Sequence, residues 1–141
     1  MLEATTTVPD PSSALDRDYD GEPATLRAAR RDVLTWLSAR GADEETKQRA
    51  ALIVSELATN ALQASPGRPY NVSVTMTDDQ CAEIAVRNHT SGGVPPERER
   101  WRFAEPSSLR GRGLAIVSSL SEDVVVCADN GEVAVTARIR W

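Results

Sequence analysis

Ser55-Glu56-Leu57-Ala58-Thr59-Asn60-Ala61 is the stretch on which the reading of this chain turns. It sits within a long run of helical period. At about 100° per residue, Ile53, Leu57, Ala61 and Ala64 form one apolar stripe, with Ala50 and Val54 beside it. Glu56 and Asn60 are four residues apart and share a helix face. Asn60 falls at the margin of the stripe and Glu56 slightly further out, so both meet a cleft rather than open water. A carboxylate and an amide oxygen in a cleft suit a magnesium nucleotide. The same pair also reads as a surface acid and an asparagine bonded to local backbone.

Further along, Arg110-Gly111-Arg112-Gly113-Leu114-Ala115-Ile116-Val117 follows a long polar loop and opens an apolar helix, expected from Gly113 to about Leu120. Glycines at a loop-to-helix junction let the backbone approach a phosphate. The helix N-terminus adds free N–H groups and the positive end of the dipole. A lone Gly-x-Gly also serves ordinary turns. The ordered pair is more specific: an acid/Asn helix first, a Gly-x-Gly helix about fifty residues later.

The remaining pattern frames these two segments. Pro23 suits a first helical turn and Gly41 a stop, so a helix is expected from Pro23 to Arg40. Leu26, Ala29, Val33, Trp36 and Leu37 make its buried stripe. The helix carrying Glu56 starts near Asp43, an N-cap, with Glu44 and Glu45 favourable in the first turn. It ends at Ser65-Pro66-Gly67. Period two then takes over. Val72, Val74 and Met76 alternate with polar residues, as do Ala82, Ile84 and Val86, around an Asp78-Asp79-Gln80 turn. A short strand over 14–19 precedes the first helix. Two last strands, near Val124 to Cys127 and Val133 to Ile139, flank Asp129-Asn130-Gly131. The order β-α-α-β-β-α-β-β predicts an α+β fold. It is a two-layer α/β sandwich with a mixed, mostly antiparallel sheet and three helices on one face.

The 141 residues suit one domain, expected over 14–141. The Thr/Pro/Ser-rich start, 1–13, reads as a disordered tail. No apolar run is long enough to span a membrane, and the N-terminus lacks the features of a signal peptide, so a cytoplasmic protein is expected. The net charge of −5 disfavours direct nucleic-acid binding, while leaving room for a basic protein partner. Cys81 and Cys127 lie in apolar strand-like runs whose spacing fits no metal motif; both are expected to be buried free thiols, with a disulfide between them as the alternative.

On its two motifs the chain resembles a GHKL-superfamily ATP-binding module with the Bergerat fold. Within that superfamily it resembles the bacterial anti-sigma-factor serine kinases of partner-switching systems. Val54-Ser55-Glu56-Leu57-Ala58-Thr59-Asn60-Ala61 resembles their N-box, and Gly111-Arg112-Gly113-Leu114 their second glycine box. The likeness runs from about Asp20 to the C-terminus. It implies ATP held between helices and sheet, under a lid formed by the loop from Asn88 to Arg110. It implies Glu56 as general base and Asn60 as magnesium ligand through its amide oxygen. Gly111 and Gly113 would make the phosphate-side turn before Leu114. Arg110 and Arg112 beside it would neutralise phosphate charge, or serve as ordinary surface arginines.

The first glycine box of that family reads Asp-x-Gly-x-Gly, where Asp recognises the adenine amino group. Here the segment is Asn88-His89-Thr90-Ser91-Gly92-Gly93. Asn88 stands for Asp and Thr90 for the first Gly; Gly92 fits. An Asn88 oxygen still accepts from adenine, through a neutral bond weaker than a carboxylate makes. In the lid, Arg98, Arg100 and Arg102 read as a solvated charged run. Trp101 and Phe103 read as anchors for a partner or ligand. His89, the single histidine, reads as solvent-exposed.

The resemblance implies an ATP-dependent anti-sigma serine-protein kinase. It would sequester a sigma factor and phosphorylate an antagonist on serine, with ATP and Mg2+ as cofactors and a homodimer as a compatible assembly. Neither direct nucleic-acid nor membrane binding is expected. One alternative is a partner-binding module on the same fold with weak or no turnover, which the altered Asn88 box favours. Another is a histidine-kinase catalytic domain whose phosphoacceptor helix is supplied in trans.

Overall fold

In the computed structural model, which describes residues 14–89 and 109–141 apart from the side chains of 109–112, the period-two stretches join into one five-stranded sheet. Its strands are β1 (Leu15–Tyr19), β2 (Tyr70–Asp78), β3 (Cys81–His89), β4 (Asp123–Asp129) and β5 (Glu132–Arg140). Their spatial order is β1-β2-β3-β5-β4, and every pairing is antiparallel. Register follows the alternation. Val72 faces Val86, and Val86 and Val126 each face Val135. One slip of a residue would turn this apolar row to the wrong side. Asn130 and Gly131 both have positive φ, the geometry of the tight turn between β4 and β5.

Among the described residues three helices cover the apolar face: α1 (Thr25–Ala39), α2 (Glu44–Ala64) and α3 (Leu109–Leu120). The fold is thus the expected α+β sandwich, with α2 packed against both other helices and against β2, β3 and β5. Its stripe, Ala50, Ile53, Val54, Leu57, Ala58 and Ala61, is buried against Val72, Val74, Ile84, Val135, Ala137 and Ile139 in a single core cluster. Asp43 caps α2 as expected, accepting from Thr46 N at 2.9 Å. The hydrogen bonds from Thr46 hold its carboxyl below the ordinary carboxylate range. No described helix is long and apolar enough to cross a membrane.

The edge strand β1 is tied down by side chains. Tyr19 Oη donates to Asp32 Oδ2 on α1 at 2.6 Å, and Arg17 reaches the same carboxylate at 3.2 Å. Burial and that bond to Asp32 push the Tyr19 hydroxyl well above its ordinary pKa. Tyr19 also stacks on Tyr70, with centroids 5.5 Å apart.

Several boundaries differ from the sequence reading. α1 begins at Thr25 rather than Pro23, because Thr25 Oγ1 donates to the Asp20 and Glu22 carbonyls and holds the preceding residues in a turn. α3 begins at Leu109, four residues before Gly113, so both glycines of its motif lie inside the helix. β3 continues through His89, which makes Asn88 a strand residue. His89 is exposed, as expected, but at a strand end, with Nε2 4.0 Å from Glu132. Cys81 is a buried free thiol; Cys127 is free but exposed, against expectation. It pairs with Ala134 on the outer edge strand β4, in the row that faces away from the helices. The 1–13 tail and the 90–108 loop, with Gly92, Arg98, Arg100, Trp101, Arg102 and Phe103, lie outside the described residues.

Arg49 on α2 locks the far end of the layers together. Nη1 lies 3.4 Å from the Leu120 carbonyl that ends α3, and Nη2 lies 3.0 Å from the Arg140 carbonyl that ends β5. Nη2 also bonds Thr46 Oγ1 at 3.1 Å. Arg49→Met keeps the aliphatic stem and removes these charged bonds. Chemical denaturation is expected to show a loss of about 1–3 kcal/mol. An unchanged midpoint at unchanged slope would mean that the bonds contribute nothing.

Candidate functional site

Helical period brings Glu56 and Asn60 to neighbouring turns of α2, beside the inward-facing Leu57 and Ala61. Glu56 is half-buried. Asn60 is only 6% exposed, and its Nδ2 is buried with no hydrogen-bond partner. An amide donor in that state costs about 1–3 kcal/mol unless something fills the space before it.

The second motif meets the first at this point. α3 is seated on the core by Leu114 and Val117, and this brings the Gly113 backbone against α2. A Cβ built on Gly113 would lie 2.7 Å from Glu56 Oε1, 3.5 Å from Asn60 Oδ1 and 3.6 Å from Asn60 Nδ2. Only glycine leaves Glu56 where it is. Gly111 lies in the first turn of α3, where backbone N–H groups are free of intrahelical partners. Gly113 lies beyond that turn. Arg110 and Arg112 belong to the same helix, and their side chains, like Gly92, lie outside the described residues.

These residues fit a magnesium nucleotide. Magnesium takes one or two protein ligands and completes its shell with phosphate and water oxygens. Asn60 Oδ1 is an oxygen of the kind that could serve as one such ligand, and its unpartnered Nδ2 is a donor that an anionic oxygen would satisfy. The bare Cα of Gly113 lets the α3 backbone approach them closely. Among the described residues no group of three or more His, Cys, Asp or Glu forms a metal cluster.

Asn88, the candidate adenine contact, lies one residue before the end of β3, paired with Tyr70 and Val133, and is 7% exposed. Its Nδ2 is 3.4 Å from Ser65 Oγ. Ser65 closes α2, its own N–H bonding the Ala61 carbonyl at 3.0 Å, and its hydroxyl donates to the His89 carbonyl. The sequence reading took Ser65 only as part of a helix stop. Nothing local signals more, because its contact with Asn88 is made by folding and not by spacing. Ser55, next to Glu56, turns the other way: its Oγ donates to Ala51 O and accepts from Arg30 on α1.

The sequence pattern of the family described as "Histidine kinase-like ATPase domain" matches residues 20–139, taking in both motifs. No curated protein matches. Among solved structures, the RsbU and RsbW domains of Rv1364c from Mycobacterium tuberculosis superpose with a TM-score of 0.69 at 17% identity, over 92% of this chain and 32% of that one. The chain thus spans about a third of the length of that structure. The SiaB–SiaC complex from Pseudomonas aeruginosa matches with a TM-score of 0.65 at 13% identity, over 87% of this chain and 88% of that one. At such identities the structural likeness speaks for the fold alone. The family pattern covers most of the chain and its two motifs meet at Gly113, so this protein belongs to the histidine kinase-like ATPase domain family.

Proposed function

We propose that this protein is an ATP-dependent serine-protein kinase acting as an anti-sigma factor in a partner-switching system. In this reading it sequesters a sigma factor and phosphorylates an antagonist on serine. The observation that carries the reading is the convergence of Glu56, Asn60 and Gly113 at one point between α2 and α3. Family membership supports ATP as the nucleotide. Support for protein partners is coarser: one structural neighbour, SiaB, is a fold relative seen in complex with SiaC. A cytoplasmic setting goes with the sigma factor the reading names.

Magnesium ATP, when bound, supplies the transferable phosphoryl group and spreads its charge. Asn60 holds the metal through Oδ1, and Asn88 accepts from the adenine amino group. Glu56 takes the proton from the substrate serine hydroxyl, or from water in slow hydrolysis, and keeps it on its carboxylate. Gly113 keeps the Glu56 carboxylate unobstructed. Gly111 offers a free backbone N–H to a phosphate oxygen.

A second reading has a specific observation behind it. Asn88 replaces the family carboxylate, which weakens the hold on adenine and favours a partner-binding module with little or no turnover. Calorimetric titration of the purified protein with ATP, with and without magnesium, separates the two. Nucleotide binding without measurable turnover would favour the module.

Three substitutions test the assignments. Asn60→Ala is expected to weaken magnesium ATP by about 1.4 kcal/mol or more, a tenfold change, with the circular dichroism of the parent. Equal affinity would remove Asn60 from the metal site. Glu56→Gln keeps the shape and loses the basicity. Turnover of radiolabelled ATP is expected to fall roughly a hundredfold with ATP affinity little changed; undiminished turnover would exclude a base at this position. Gly113→Ala sets a methyl group against the end of a flexible side chain, so the cost falls on where Glu56 points. Thermal stability is expected to hold or rise by up to about 1 kcal/mol, as alanine suits a helix better than glycine. Turnover is expected to fall at least about tenfold, as for a displaced general base. Lost stability with intact turnover would contradict the contact.

A further inference from the structure

We propose that Ser65 is a positioning residue that sets the base preference of the site, by holding the Asn88 carboxamide with its oxygen turned to the ligand. The inference rests on the reading that Asn88 meets the base. Ser65 is fully buried, and its hydroxyl carries one hydrogen. That hydrogen goes to the His89 carbonyl, which can only accept. Toward Asn88 the Ser65 oxygen therefore presents lone pairs.

An oxygen with only lone pairs requires a donor opposite. Asn88 meets the requirement with Nδ2, at 3.4 Å. The reverse orientation would set two acceptor oxygens against each other inside the protein. The network thus assigns the amide with Nδ2 toward Ser65. The bond is long, so its weight lies in direction more than in strength. It leaves the carboxamide oxygen as the acceptor that Asn88 offers a ligand.

The position along the fold fits a base. Ser65 lies five residues beyond Asn60, about 7.5 Å along the α2 axis at 1.5 Å per residue. Ser65, at the C-cap of α2, thus follows Glu56 and Asn60 along one helix, with Asn88 beside it near the end of β3. An outward oxygen at Asn88 accepts from the 6-amino group of adenine. It repels the 6-carbonyl of guanine or hypoxanthine. The ligand class is a 6-aminopurine nucleotide, selected by the Asn88–Ser65 pair rather than by Asn88 alone.

The pair also changes what a carboxylate would do at position 88. Aspartate has no hydrogen to give Ser65. Ser65 could serve it only by releasing the His89 carbonyl, which would then lose its side-chain donor. The stronger adenine bond expected of a carboxylate is offset within the protein.

The test is calorimetric titration of the full chain, in magnesium, with ATP, with GTP, and with purine riboside triphosphate, which is ATP without the 6-amino group. The parent is expected to prefer ATP to both others. In Ser65→Ala the amide is free to turn. Its preference for ATP over the deamino analogue is expected to fall by about fivefold to tenfold, the size of one neutral hydrogen bond, while deamino-analogue affinity stays put. Ser65→Thr keeps the hydroxyl and is expected to keep the preference. Asn88→Asp, a second and independent variant, is expected to leave ATP affinity no tighter than in the parent.

If Ser65→Ala keeps the full preference, Ser65 does not position the amide. A tenfold tightening in Asn88→Asp would also overturn the proposal, because Ser65 would then be free to donate. A parent that binds ATP and its deamino analogue equally has no base contact at Asn88, and the inference falls while nucleotide binding stands. A parent that binds none of the three nucleotides overturns the nucleotide reading itself, and the inference with it.

Discussion

At Gly113 the backbone of α3 comes against the side chains of α2 with no methyl group between them, and most of what is distinctive about the fold follows from that approach. It requires glycine at 113, a side chain with a movable end at 56, and an amide held inside the interface at 60. It also requires α3 to be anchored one turn on, which Leu114 and Val117 do from within the core. At the other end of α3, Arg49 fastens the last carbonyl back to α2. The helix is thus held at its C-terminal end and fitted closely at its middle. Its first turn carries Gly111.

α2 is what makes this arrangement possible. One of its faces supplies the apolar stripe that meets the sheet, and the margin of that face supplies Glu56 and Asn60. The same helix turns therefore fix both the core and the polar groups. A buried asparagine with an unmatched donor is a local cost within a well-packed region. Such conflicts tend to sit where a ligand is meant to complete the structure.

Much of this was legible in the sequence because the signals were periodic or carried by a motif. The 3.6-residue stripe around Leu57 located α2 and its cleft side. The alternation around Val72 and Ile84 located the central strands and made them neighbours. Asp43 announced the start of α2. What was not legible depended on contacts between distant segments. Cys127 lies in an apolar run, yet β4 is the edge strand and this residue points away from the helices; no local pattern separates it from Cys81. The early start of α3 at Leu109 ran against the propensity of two glycines, and tertiary packing prevailed. Ser65 looked like punctuation. Its bonds to His89 and Asn88 span 24 and 23 residues of chain, and they form only when β3 is laid beside the end of α2.

The single hydrogen on Ser65 makes positions 65 and 88 epistatic. A carboxamide at 88 is matched to a hydroxyl already committed to a neighbouring carbonyl. A carboxylate at 88 wants a hydroxyl that is free. With a carboxylate at 88, Ser65 must either face it as a second acceptor or give up its bond to the His89 carbonyl, so a change at one position alters the worth of a change at the other. The residue at 65, and not only the one at 88, sets the background in which a change at position 88 should be judged.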